Sequence, residues 1–195
     1  MDTAVSNATP LIYLSKANKL SLLQAVVRQL FIPEAVHREV VIEGKRLGER
    51  DAYRVEKAIN QGWILVQAVK IIYPIEIAIH PGEVEVISLA KEKGIEAVLM
   101  DDIKARAASE MAGLRPIGTL WVILKAVKNH ILNFDEFLAT LEDIIQSGFY
   151  LKEEVYIKAV RKARERCSQG QGTIREMNIV TAQVQSSGVH GSRLN

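Results

Sequence analysis

The chain of 195 residues holds one cysteine, Cys167, which excludes an intramolecular disulfide and any zinc site built from several thiolates. Disulfide frameworks belong to oxidising compartments, so this poverty suits a reducing cytoplasm. No stretch approaches the roughly 20 apolar residues that a bilayer crossing needs, and no membrane partner is expected. Residues 1–20 also lack the basic start, long apolar core and small-residue cleavage site of a secretory signal, and a soluble cytoplasmic protein is the expectation. Net charge is scarce as well: 25 Lys and Arg stand against 23 Asp and Glu, so overall charge announces no nucleic-acid partner. Any such partner has to be argued locally. Aromatic residues stop at Tyr156, and from Ser168 onward Gln, Ser, Gly and Thr leave little apolar surface to offset chain ordering. Residues 168–195 therefore read as a flexible polar tail. The whole chain is 48% apolar and 25% charged, the make-up of a globular protein.

Along the chain, strand-like and helix-like patterns alternate. Thr3 to Ser6 reads as a short strand, then comes Asn7, then a helix from Thr9 or Pro10, since proline suits a first helical turn. Phe31 and Ile32 form a second apolar step, and Pro33 to Val41 reads as a helix containing Glu39. Glu43 to Glu49 is polar and punctuated by glycine, as loops are; Arg50 to Asn60 reads as a charged surface helix and Trp63 to Val69 as a strand. His80 to Gly94 carries a helix start at Pro81, Glu83 in its first turn, and a stop at Gly94. Ala97 to Met100 is wholly apolar, as a buried parallel strand is, and runs straight into Asp101 and Asp102. Ile103 to Ala112, Arg115 to Ile117 and Leu120 to Lys128 continue as helix, strand and helix. Asn133 to Gln146 and Lys152 to Arg166 add two amphipathic helices, the second basic at Lys158, Arg161, Lys162, Arg164 and Arg166. The pattern predicts an α/β protein: a three-layer α/β/α sandwich with a short, mostly parallel sheet, followed by C-terminal helices. Its divisions are a domain over 1–150, a basic helix over 151–167 and the tail over 168–195.

Ligands of open α/β sheets sit beyond the carboxyl ends of the strands, which is where Asn7, Asp101 and Asp102 fall. Glu83 and Glu39, on neighbouring helices, lean towards the same edge. Hard divalent cations want oxygen ligands, and Mg²⁺ commonly takes one or two carboxylates while keeping waters for phosphate. Each residue also has an ordinary explanation: Asn7 as a helix cap, Glu83 as a favourable charge at a helix start, Glu39 as part of a solvated face. Asp102 could likewise cap the helix that follows, but the Asp101–Asp102 pair is harder to dismiss, because adjacent acids ending an apolar strand repel unless something compensates. Lys104 and Arg106 follow as candidate phosphate contacts. The basic terminal helix either touches RNA backbone or carries cations favourable near any helix C-terminus. His80 and His130 lack a second ligand at zinc spacing and read as structural.

The stretches Val5 to Leu14 (VSNATPLIYL), Glu39 behind Pro33, His80 to Ala90 with its Gly-Glu pair, Leu99 to Arg106 (LMDDIKAR) and Gly118 to Leu120 together resemble a PIN domain. The resemblance is to the VapC-like prokaryotic branch and spans roughly residues 3 to 150. It implies a PIN-like nuclease domain: an endoribonuclease using Mg²⁺ or Mn²⁺, often the toxin of a toxin–antitoxin pair, and often a homodimer. It places Asn7, Glu39 and Glu83 in the first three metal-ligand positions, Asp102 or Asp101 in the fourth, and Thr9 as the hydroxyl that helps set the first. Glu39, Glu83, Asp101 and Asp102 are the catalytic candidates; Thr9, Lys104 and Arg106 the substrate-binding ones. The first position is usually Asp in PIN nucleases, and an amide there removes a negative charge and the capacity to act as a base. The leading expectation is hydrolysis of single-stranded RNA, with a cognate antitoxin as possible partner. A catalytically weak PIN-like module that binds RNA or protein is the alternative. A receiver-like phosphoacceptor fits poorly, because its acidic pair belongs after the first strand.

Overall fold

The computed structural model describes residues 1–168; the expected tail, apart from Ser168, lies outside the described residues. Five strands, β1 (Thr3–Ser6), β2 (Gln29–Pro33), β3 (Ile64–Gln67), β4 (Ala97–Leu99) and β5 (Arg115–Ile117), form one sheet in the order β3-β2-β1-β4-β5, every pairing parallel. Parallel strands buried on both faces are apolar throughout, and Ala97, Val98 and Leu99 are at most 3% exposed. The chain steps outward from β1 to β3, then returns to place β4 on the other side of β1. The strand order therefore reverses between β1 and β4, and such a switch point opens a crevice at the carboxyl ends of both strands.

Ten helices cover the sheet among the described residues. On one side α6 (Pro81–Lys93) packs across β1, β2 and β4, with α7 (Ile103–Met111) beside β5. On the other, α1 (Ala8–Lys16), α2 (Leu20–Val26), α5 (Arg50–Asn60), α8 (Thr119–Lys128) and α9 (Phe134–Gln146) pack on one another. This is the expected three-layer α/β/α sandwich. A last helix, α10, covers 153–168 and buries Ala159 and Ala163. No helix among the described residues is long and apolar enough to cross a membrane.

Two local expectations are corrected. The helix after Pro33 does not stop at Val41: α3 (Glu34–His37) passes into a π-helical segment, Arg38–Glu43, and then into α4 (Gly44–Arg46). The supposed loop from Glu43 is thus helical as far as Arg46, because its glycine serves packing instead of turning. A Cβ on Gly44 would stand 2.9 Å from that of Ala52, so the bare backbone lets α4 meet α5. The second correction is α2, whose Leu20, Leu22, Leu23 and Val26 are buried but which is too short to show a persuasive period.

Gly44→Val should therefore destabilise the fold by about 1–3 kcal/mol through overpacking against Ala52. Urea unfolding checks this, with a lowered midpoint and an unchanged slope as the expected result.

Candidate functional site

Asn7 follows β1 directly and stands at the switch point. Its backbone N–H donates to the Leu99 carbonyl of β4 at 2.9 Å, and its own carbonyl accepts from Ser6 Oγ at 2.9 Å. Both main-chain groups are thus satisfied. The residue occupies the N-cap place of α1 with extended backbone (φ −82°, ψ −176°), yet its side chain makes no capping bond. Asn7 is 4% exposed, and its Oδ1 is buried without a hydrogen-bond partner. A buried acceptor left unpaired costs roughly 1–3 kcal/mol, so the cap does not account for this amide.

The amide lines a cavity of about 130 Å³ together with Thr9, Glu39, His80, Gly82 and Glu83. Glu83 arrives on the first turn of α6, where one oxygen, Oε2, accepts from the His80 backbone N–H at 3.0 Å. His80 Nδ1 accepts from the Gly82 N–H at 3.3 Å, and these reciprocal bonds start the helix. Glu39 comes from the π-helical segment and is exposed, with Oε2 3.9 Å from the point a Gly82 Cβ would occupy. A further contact fixes the spacing of these elements: the Ala35 N–H donates to Glu85 Oε2 at 3.3 Å, tying α3 to α6.

Charge accumulates here. Burial pushes the Glu83 carboxyl above its ordinary value, the His80 N–H opposes that, and the nearby negative charges of Asp102 and Glu39 push it further up. Asp102 thus belongs electrostatically to the cluster although it does not line the cavity. Its Oδ1 caps α7 by accepting from the N–H groups of Lys104 at 2.8 Å and Ala105 at 3.0 Å. No described residue donates to Oδ2.

Asp101 turns the other way. Its Oδ1 accepts from the Thr119 N–H at 2.8 Å and its Oδ2 from Thr119 Oγ1 at 2.6 Å. A Cβ on Gly118 would fall 2.6 Å from Oδ1, so only glycine admits the carboxylate there. Burial pushes the Asp101 carboxyl up, while Thr119's two donations and the Arg106 guanidinium hold it down. Arg106 is itself committed, donating to the carbonyls of Met100 at 3.2 Å and Pro116 at 3.4 Å. Lys104 is exposed on the first turn of α7.

The fold therefore brings together Asn7, Thr9, Glu39 and Glu83, sets Asp102 within electrostatic reach, and places Asp101 and Arg106 on the far side of the β4 end. Among the described residues, no three His, Cys, Asp or Glu side chains are grouped so as to hold an ion by themselves. The donors facing the cavity are one amide and two carboxylates, a set that fits a hard cation which keeps several waters. Thr119 and Glu85 carry no signal in the sequence as positioning residues, and His80, read as structural, caps α6. The N-cap to N3 spacing of His80 and Glu83 was the one readable signal.

A model of the DUF3368 family, described as a PIN domain, matches residues 3–165. No curated protein and no solved structure gives a significant match.

The Asp101–Thr119 pair should be structural in its effect. Thr119→Val should lower stability by about 1.5–3 kcal/mol, the worth of a hydrogen bond to a charged group, with Thr119→Ser restoring most of it. Thermal unfolding of both variants checks this.

Proposed function

The chain belongs to the PIN-domain family, a nuclease-type family of hydrolases acting on nucleic acid, and on that premise we propose that it is a Mg²⁺- or Mn²⁺-dependent endoribonuclease that hydrolyses phosphodiester bonds of single-stranded RNA. One observation carries the reading: the Asn7 Oδ1 is buried, unpaired and lines a cavity with Glu39 and Glu83. An unsatisfied acceptor among carboxylates is what a cation would relieve.

In this reading Asn7, Glu39, Glu83 and Asp102 hold the ion. Bound there, a divalent cation supplies an acidified water and offsets charge on the scissile phosphate. Asn7 contributes a neutral oxygen, fixed by its backbone bond to Leu99. Glu83 and Asp102 each spend one oxygen on starting a helix, which holds the carboxyl in place and leaves the other oxygen for the site. Thr9 lines the cavity with the amide, and Lys104, two residues after Asp102, is an exposed cation for a phosphate. Asp101 serves the reading as an anchor for Thr119.

The finer biology belongs to the same proposal: a VapC-like toxin of the cytoplasm, homodimeric, held in check by an antitoxin whose Arg or Lys pairs with the exposed Glu39 and Asp102. A second reading, a weakly catalytic module that binds RNA or protein, is favoured by the amide at position 7, which deprives the cluster of one negative charge.

Purified chain should cut a fluorophore-quenched single-stranded RNA in Mn²⁺ and stop in excess EDTA. Glu83→Gln and Asp102→Asn should slow cleavage on the order of 10²–10⁴-fold, and Asn7→Asp should tighten Mn²⁺ binding in calorimetry by about tenfold or more. Cleavage untouched by both carboxamide variants would sink the mechanism. A wild type that only binds RNA, with Mn²⁺-dependent cutting gained in Asn7→Asp, would establish the second reading.

A further inference from the structure

A second concavity lies apart from the acidic cavity. It is a groove of about 720 Å³ bounded by α8, α10 and the 149–152 connection, and it begins at Asp101. Six cations line it, from Arg106 to Arg166, against one carboxylate, that of Asp101, whose two oxygens are already engaged by hydrogen bonds from Thr119. A molecule of nearly balanced charge thus concentrates positive charge on one concave surface.

Those cations divide in two. Arg106 and Arg166 are spent on the chain itself, the latter donating to the Leu124 carbonyl at 2.6 Å, which fastens α10 to α8. Lys125, Lys128, Lys152 and Lys162 form no salt bridge among the described residues, and the last three are exposed. Aromatic rings line the same groove. Phe149 packs edge-on against Tyr13 with centroids 5.2 Å apart, whereas its neighbour Tyr150 is 81% exposed at the groove. Trp121, partly exposed on α8, lines the same surface.

We propose that this groove is the track along which a single-stranded RNA reaches the acidic cavity, its phosphates met by Lys125, Lys128, Lys152 and Lys162 and its bases stacked on Tyr150 and Trp121. The inference rests on the nuclease reading of the cavity and adds to it a route for the strand. Alternating cations and open rings are the chemistry of single-strand binding, because only unpaired bases offer their faces to a side chain. Continuity supports it: Asp101 lines the groove, and the next residue, Asp102, starts α7 at the same strand end to which Asn7, a lining residue of the cavity, is hydrogen-bonded. The groove takes its far wall from α10, so the basic helix is a functional part of the binding surface.

The test measures binding of the full chain to a short single-stranded RNA in EDTA, where no cleavage occurs. The triple variant Lys128→Ala, Lys152→Ala, Lys162→Ala should weaken binding at least about tenfold at low salt and flatten the dependence of log K on log salt by about 0.7 per lysine in contact. Tyr150→Ala should weaken it roughly 5- to 100-fold. In a Trp63→Phe background, which leaves Trp121 as the reporter, RNA should quench the tryptophan emission. Mn²⁺ calorimetry should be unaltered in all of them. Wild-type affinity and salt slope in both groove variants would overturn the proposal and leave the groove to a protein segment, from residues 169–195 or from a partner. Groove-dependent binding without Mn²⁺-dependent cleavage would instead overturn the nuclease reading and keep the track.

Discussion

A single rung of the sheet decides where the chemistry can be. The Asn7 N–H bonded to the Leu99 carbonyl is the last link between β1 and β4, at the point where the strand order reverses. It fixes the start of α1 against the end of β4, and so sets Asn7 beside the Asp101–Asp102 pair although more than ninety residues separate them in sequence. The rung also uses the amide's own main chain completely. Whatever Asn7 offers to a ligand must come from its side chain, and that side chain is held in the crevice by the sheet.

The acidic residues are placed by a related economy. Glu83 and Asp102 both sit at helix starts, where backbone N–H groups fix one carboxyl oxygen. These bonds orient each carboxyl and use only one of its two oxygens. Helix starts at the carboxyl ends of parallel strands thus supply a ready array of oriented oxygens. Glu39 differs. It rides on a π-helical segment, a geometry often found at functional sites, and reaches α6 over the bare Gly82.

The sequence made the strands and most helices legible because each local pattern agreed with the global fold. Ala97 to Leu99 could only be a buried strand, and Arg115–Ile117 appears where the reading put it. Gly44 misled because glycine reads as a turn when its purpose is a close helix crossing. At the site, strand ends named Asn7 and the two aspartates, but no pattern could tell which aspartate faced which way. That depends on Thr119, eighteen residues on, and on the absence of a side chain at Gly118. Nor could periodicity show the groove, since Trp121 and Tyr150 come from separate elements and line one surface only in the folded chain.

The opposed directions of Asp101 and Asp102 have a consequence for how the sheet keeps its frame. A slip of one residue at the end of β4 would carry one aspartate into the other's place and bring Met100 or Ile103 into the place it left. Either Thr119 or the start of α7 would then lose its carboxylate. Both partners are met at once in one register only, so the pair works as a keyed end to a strand of three residues.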